Sequence, residues 1–304
     1  MYHFIVNPAS SSGKGAILWK EIEKKLFAEQ IPYVVYMTDG DGSAKRFAED
    51  ITKTDEDVTI VVCGGDGTMN EVVCGIRDFS KVTIGCIPTG SSNDLIRDFG
   101  FPKDPMKMLD VILKPNKIVP MDIGRLTYTG GVKNFSVSMG IGYDAAICHE
   151  ALNSKIKVAL NKVGLGKLTY LGIALKQLAG TKKISGTVIL DDEREIHVDQ
   201  LLFVTGMVHR YEGGGFMFCP EADYADGMLD VLIVGDLSKE RVLRILPTAL
   251  KGKHTRFAGI NTYRAKKVVV RTEVPMPVHV DGESAGIQSE VVVTQEEKQV
   301  RMII

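Results

Sequence analysis

Val58-Thr59-Ile60-Val61-Val62-Cys63-Gly64-Gly65-Asp66-Gly67-Thr68 is the stretch that decides the fold. Its first six residues are a continuous apolar, β-branched run, the composition of a strand covered on both faces. Three glycines in the next four positions let the backbone enter φ > 0 and present N–H groups to an anion at the start of the helical run Met69–Arg77. A plain strand-to-helix turn needs only one glycine. Asp66, a carboxylate among those glycines, faces a phosphate only across a divalent cation or a ribose hydroxyl; its other use is as a helix cap. The spacing is neither Gly-x-Gly-x-x-Gly nor a Walker loop, because Gly13-Lys14-Gly15 lacks the upstream glycine and a Ser/Thr after the lysine.

The same strand-loop-helix rhythm runs outward on both sides. Tyr2–Val6 is an apolar strand ending at Asn7-Pro8, and Ala16–Glu29 carries Ile17, Leu18, Ile22 and Leu26 at helical spacing. Tyr33–Met37 is a strand, Ser43 is expected to cap a helix with Ala44, Phe47, Ala48 and Ile51 on one face, and Thr83–Ile87 is a further strand. Two helical stretches then precede Lys114-Pro115. This alternation predicts a parallel sheet with helices on both sides. In such a sheet the loops after the strands emerge at one edge, where ligands bind. Asn7–Gly13, Gly64–Thr68 and Pro88–Asp94 therefore form a natural nucleotide triphosphate site.

Beyond about residue 120 the pattern becomes mainly β. Gly124–Thr129 and Lys133–Ser138 flank a Gly130-Gly131 turn, and residues 143–180 look helical in pieces interrupted at Gly164 and Gly166. Ile184–Leu190 and Glu195–Thr205 read as a hairpin. Short strands follow at Leu229–Val234, Lys267–Thr272, Val278–Asp281, Glu290–Thr294 and Val300–Ile304, with one helix at Lys239–Leu250. The expected division is 1–120, a nucleotide-binding α/β kinase domain, and 121–304, a β-rich substrate and metal domain whose last strand is a candidate to return to the first.

Composition narrows the function classes. The 304 residues carry 37 Lys+Arg against 38 Asp+Glu, a net charge of -1, which argues against a protein held to nucleic acid by phosphate contacts. Five scattered cysteines without a Cys-x-x-Cys pair read as small buried hydrophobes in a reducing compartment. The histidines show no metal-ligand spacing. No apolar run is long enough for a transmembrane helix, and Met1–Val6 lacks the basic region and cleavage site of a signal peptide. Lys14, His209-Arg210-Tyr211, Lys182-Lys183 and the segment Lys251–Arg256 read first as solvated groups, with attraction to phosphate or anionic headgroups as the alternative.

Gly64–Thr68 continuing as Met69-Asn70-Glu71, with Asn7-Pro8 upstream and Gly90–Asp94 downstream, resembles the catalytic domain of the diacylglycerol kinase family, in its soluble bacterial lipid kinase branch. The resemblance extends through Gly140-Ile141-Gly142-Tyr143-Asp144-Ala145, Gly213-Gly214-Gly215 with Pro220, Asp223-x-x-Asp226-Gly227-x-Leu229-Asp230, and Asp281-Gly282-Glu283. It implies a first domain like NAD kinase and phosphofructokinase and a second that is a β-sandwich with inserted helices.

Carried over by position, the resemblance puts ATP against Asn7, Ser10, Thr38, Gly65, Asp66, Gly67, Thr68, Met69, Asn70, Glu71 and Ser91. The family usually has Thr where Ser91 stands, and a single Ser-Gly step where this chain has Ser10-Ser11-Ser12-Gly13. The resemblance also implies a catalytic magnesium network at Asp66, Asp94 and Asp122. A separate structural magnesium is implied at Asp223, Asp226 and the Met228 carbonyl; without the resemblance, Asp226-Gly227 is an acidic surface turn. Asp281-Gly282 by itself is a tight turn. The resemblance makes Asp281, or Glu283 beside it, the general base for a substrate hydroxyl.

The expected activity is ATP- and magnesium-dependent phosphorylation of a lipid hydroxyl, diacylglycerol to phosphatidic acid first, by a cytoplasmic enzyme meeting its substrate peripherally at the inner membrane face. A homodimer is left open. Another lipid alcohol, NAD or a sugar phosphate is the alternative acceptor, although the Thr/Ser-rich nucleoside loop of NAD kinases is not found. The non-enzymatic alternative is a nucleotide-binding sensor that has lost its base; Asp281-Gly282-Glu283 speaks against it.

Overall fold

The computed structural model describes residues 1–40, 42–90, 92–102, 104–153, 173, 176–178, 180 and 184–304. It divides into two units, Met1–Ile123 with Glu296–Ile304, and Gly124–Gln295.

In the first unit, strands β1 (Tyr2–Val6), β2 (Tyr33–Met37), β3 (Val58–Gly64), β4 (Val82–Pro88) and β5 (Ile118–Met121) alternate with helices α1 (Ser10–Ala28), α2 (Ser43–Ile51), α3 (Asp66–Gly75), α4 (Asp94–Phe99) and α5 (Pro105–Leu113). The first four strands are mutually parallel in the order β2-β1-β3-β4. The apolar run of β3 is buried almost throughout, as a strand covered on both faces must be. Trp19, Ile22 and Leu26 of α1 pack with Phe4, Val6 and Val61. Asp104 caps α5, accepting from the Met106 N–H at 2.9 Å, with Pro105 as its first residue.

Two local expectations are corrected. Ser43 does not cap α2: the N-cap is Gly42, and the Ser43 hydroxyl donates to the Gly40 carbonyl instead. Helix α1 begins at Ser10, and Ile17, expected on the core face, is exposed while Trp19 is buried. The left-handed run Ser11-Ser12-Gly13 kinks the first turn; beyond it Ile17 stands about 140° around the helix from Ile22, off the buried face.

The second unit contains β6 (Gly124–Tyr128), β7 (Gly131–Phe135), β8 (Ser138–Gly142), α6 (Tyr143–Asn153), β9 (Ile184–Leu190), β10 (Arg194–Met207), β11 (Tyr211–Glu212), β12 (Phe216–Met217), β13 (Leu229–Gly235), α7 (Lys239–Ala249), β14 (Ile260–Ala265), β15 (Val268–Val280) and β16 (Glu283–Gln295). The long strands β10 and β15 each pair with β8 over one half and with β9 over the other. The sheet thereby folds over on itself around Met139, Ile141, Val188, Val204, Val270 and Val278.

Here the expected short strands Lys267–Thr272, Val278–Asp281 and Glu290–Thr294 prove to be parts of two 13-residue strands. Pro275 and Pro277 lie within β15, whose register shifts between Arg271 and Met276 and between Pro277 and His279, so the prolines are absorbed in irregularities of the ladder. Gly164, Gly166 and Lys182-Lys183 lie outside the described residues. The last strand, β17 (Val300–Ile303), pairs parallel with β4 and antiparallel with β5, inside the first unit.

Candidate active site

The loops after β1, β3 and β4 meet at the C-terminal edge of the parallel sheet. Thr89 N–H donates to the Gly64 carbonyl at 2.9 Å, and Ser11 Oγ to the Thr89 carbonyl at 2.6 Å. Asn7 Nδ2 donates to Thr68 Oγ1 at 3.2 Å. The Asp94 N–H donates to Asp66 Oδ1 at 3.1 Å, so Asp66 is held at the start of α4.

The glycines of this edge are required by packing. A Cβ on Gly65 would lie 2.9 Å from Gly90 Cα, and one on Gly90 would lie 2.6 Å from Gly65 Cα. Backbone stands directly against backbone, leaving the α3 N-terminus open to an anionic ligand. Gly15 is similar: its Cβ would fall 2.2 Å from the Asn7 carbonyl oxygen. The added serines are accommodated by a left-handed run, with φ of 49° at Ser11, 60° at Ser12 and 93° at Gly13. Such strain costs about 1–3 kcal/mol per non-glycine residue and persists only where the surroundings impose it. Here the Ser11–Thr89 bond ties it to the next loop.

The expected ATP residues divide by what their side chains do. Asp66 and Gly67 are half-buried on the turn, whereas Thr68, Met69 and Asn70 are buried within α3. Glu71 is committed elsewhere: its two carboxylate oxygens accept the Gly42 and Ala44 N–H groups, each at 3.0 Å, and so cap α2. Ser10 donates to the Asn7 carbonyl at 2.8 Å, and the Thr38 N–H to that of Val6 at 2.9 Å. Ser91 lies outside the described residues.

Asp66, Asp94 and Asp122 carry the hard oxygens that magnesium takes, but their carboxylates do not gather into one ligand cluster among the described residues. Asp66 and Asp94 are joined by their hydrogen bond, and Asp94 and Asp122 are both buried. Asp122 Oδ1 accepts from Gln299 Nε2 at 2.7 Å. Asp66 and Asp94, linked by that bond, are the two that could hold a metal at this edge, although Arg97 Nε also stands 3.5 Å from Asp94 Oδ1.

In the second unit, Asp281 and Gly282 form the two-residue turn of the β15–β16 hairpin, with φ of 46° and 86°, between the paired residues Val280 and Glu283. The Asp281 carboxylate is fully engaged. Its Oδ2 accepts from Ser136 N (2.7 Å) and Oγ (2.9 Å), and its Oδ1 from Val137 N (2.8 Å) and Ser138 N (3.0 Å). Four donors match the four lone-pair sites of an ionised carboxylate. Glu283 stands half-buried at the opening of β16.

A buried cluster that sequence reasoning missed supports this turn. His279 Nε2 lies 3.3 Å from Asp144 Oδ2 and 3.2 Å from Glu212 Oε1, while its Nδ1 accepts the Gly282 N–H at 3.2 Å. Thr205 Oγ1 reaches Glu212 at 3.4 Å. A Cβ on Gly140 would fall 1.9 Å from Asp144 Oδ2 and 2.5 Å from His279 Nε2, so the cluster occupies the space that glycine leaves. With Nδ1 assigned as acceptor, Nε2 carries the ring proton and donates into the carboxyl pair. A metal on Nε2 would need the proton on Nδ1, facing the Gly282 N–H; the triad is a hydrogen-bonded one. Burial pushes the Asp144 carboxyl above its ordinary range, against the pull of His279. Asp144 and His279 both stand in motifs legible in the sequence, but Glu212 has no local signal. We expect His279→Gln, which removes the acceptor for Gly282, to cost about 1–2 kcal/mol in urea unfolding and to speed hydrogen exchange at the Gly282 amide.

The loop expected to hold a structural metal carries exposed Asp223 and Asp226. Asp226 Oδ1 accepts the Met228 N–H at 2.9 Å, Arg264 pairs with Oδ2, and the Met228 carbonyl accepts from Gln295 Nε2 at 2.8 Å. Buried Asp230 Oδ2 makes no hydrogen bond, with Arg264 Nε 3.7 Å away. Burial first, then the nearby Asp226, Glu221 and Asp223 charges, push Asp230 up to about 6 despite Arg264. Asp223, Asp226 and Asp230 do not gather into one ligand cluster among the described residues, and a hard divalent cation here would have to displace Arg264 from Asp226 and Gln295 from the Met228 carbonyl.

Comparison with known proteins agrees in both halves. The diacylglycerol kinase catalytic domain model matches residues 1–126, and the YegS C-terminal NAD kinase beta sandwich-like domain matches residues 137–301. A diacylglycerol kinase of Mycobacterium tuberculosis is 30% identical over 229 residues, covering 74% of this chain and 70% of its own. The Bacillus subtilis protein YtlR, which carries a provisional lipid kinase name, is 29% identical over 297 residues, 94% of each chain. Among solved structures, a diacylglycerol kinase from Bacillus anthracis shares the fold with a TM-score of 0.72 at 20% identity, over 99% of this chain and 96% of its own. An NAD kinase from Archaeoglobus fulgidus in complex with ATP does so with a TM-score of 0.54 at 14% identity, over 100% and 94%. No helix among the described residues is long and apolar enough to cross a membrane.

Proposed function

The chain belongs to the diacylglycerol kinase catalytic-domain family, and on that premise we propose that it transfers the γ-phosphate of ATP to a lipid hydroxyl, diacylglycerol being the first substrate to test. The observation that carries this is the glycine-on-glycine contact of Gly65 with Gly90 at the sheet edge. Only backbone this bare admits a polyphosphate against the start of α3.

In the proposed reaction the loops after β1, β3 and β4 hold the triphosphate. Asp66 and Asp94 would hold magnesium, which when bound would neutralise the phosphate oxygens. Phosphoryl transfer asks little more of a protein than positioning, charge neutralisation and a base for the acceptor hydroxyl. We assign the base to Glu283. Asp281 already accepts four hydrogen bonds, and its part is to fix the turn from which Glu283 projects.

Transfer of labelled γ-phosphate to a panel of diacylglycerol, other lipid alcohols, NAD and sugar phosphates tests the class. Label in lipid supports the proposal; label only in NAD or a sugar phosphate, or in nothing, refutes it. The Asp223–Met228 loop adds a prediction independent of turnover. Magnesium at about 100 times its dissociation constant should stabilise the protein by about 2.7 kcal/mol in thermal unfolding, and Asp226→Asn should remove that gain. A melting curve indifferent to magnesium would strike the structural metal from the scheme.

A further inference from the structure

Helix α7 and the segment after it carry six Lys/Arg and one acid between Lys239 and Arg256, in a chain whose overall net charge is -1. The helix is well started: Ser238 Oγ accepts the Arg241 N–H at 3.3 Å. Val242, Ile245 and Ala249 are buried, the first two in a cluster with Leu232 and Val234 of β13. On the opposite side, Leu243, Pro247 and Leu250 recur at helical spacing (Leu250 as the C-cap, still right-handed) and form one ridge. Leu243 is 42% exposed and Leu250 51%. Arg244 and Lys251 flank the ridge, and Lys253 and Arg256 extend the basic surface beyond the helix end; all four are exposed.

This combination selects its partner. A polyanionic nucleic acid would be met by basic groups alone and gain nothing from exposed leucines. An apolar ridge edged by Arg and Lys is the pattern of a helix lying in the plane of a bilayer, with leucines among the acyl chains and the cations at the phosphates. We infer that the Leu243–Pro247–Leu250 face of α7, with Arg244 and Lys251, is a docking surface for an anionic phospholipid bilayer. It deepens the lipid kinase proposal, resting on it for the choice of a bilayer, because an acceptor embedded in a membrane must be met there.

The test is co-sedimentation of the full chain with phosphatidylcholine vesicles, with and without phosphatidylglycerol. Binding should require the anionic lipid and weaken with salt. Arg244→Gln with Lys251→Gln should lower partitioning about 25-fold, at about 1 kcal/mol per basic residue. Leu243→Ser with Leu250→Ser, at unchanged charge, should lower it about tenfold. Both double variants should keep the wild-type melting temperature and phosphorylate a short-chain diacylglycerol dispersed in detergent at the wild-type rate. Equal partitioning into both vesicle types, no binding, or leucine variants that bind like wild type would overturn the docking surface. Wild-type protein that binds anionic vesicles but labels no lipid would instead sink the kinase proposal and leave the surface standing.

Discussion

Glu283→Gln should lower kcat for lipid phosphorylation about 1,000-fold while leaving ATP affinity and unfolding free energy near wild type. Glutamine keeps the size and half-buried placement of the side chain at the start of β16 but cannot take a proton. Loss of a positioned base costs about two to four orders of magnitude. Asp281→Asn is the informative partner. An asparagine amide would point N–H groups at donors among Ser136, Val137 and Ser138, so the variant should lose about 1–3 kcal/mol of stability. Once corrected for the folded fraction, its activity should fall far less than that of Glu283→Gln. Stopped-flow turnover beside urea unfolding separates the two. A stable Asp281→Asn protein without turnover, next to an active Glu283→Gln, would return the base to Asp281.

The second large effect is expected at the turn. Gly65→Ala puts a Cβ where Gly90 Cα stands 2.9 Å away, and neither side has a flexible end to yield. The β3 and β4 loops must part, and the affinity for magnesium-ATP in calorimetry should fall about 100-fold, close to 2.7 kcal/mol. Gly40→Ala is the control. Its Cβ would meet nothing within 4 Å, so affinity should stay within about twofold of wild type. A Gly65→Ala protein that binds ATP normally would show that this turn does not hold the nucleotide.

The sheet-edge loops were legible because their signals are local. The apolar β3 run, the triple glycine and the strand-helix alternation of the first 120 residues each follow from the steric freedom of a few neighbouring residues. The β-rich half was harder to read. In the sequence β15 reads as two short strands, Lys267–Thr272 and Val278–Asp281, because an apolar run marks a strand while the register irregularities that join the two past Pro275 and Pro277 leave no local signal. Glu71 shows the same limit. Its place in the glycine-turn motif suggests a ligand contact, while the approach of α2, 27 and 29 residues away, commits both its oxygens to a helix cap.

By itself the sequence determined the α/β class of the first half, the edge at which its loops gather and the tight turn at Asp281-Gly282, since all three depend on short-range backbone chemistry; the base role at that turn came only from the family resemblance. Only the tertiary structure gave Asp281 its four donors, brought Glu212 to His279 and set Gly65 against Gly90. Those outcomes depend on which distant N–H, carboxylate or Cα arrives within about 3 Å, and that distance is fixed by the packing of whole strands and helices rather than by neighbours in the chain.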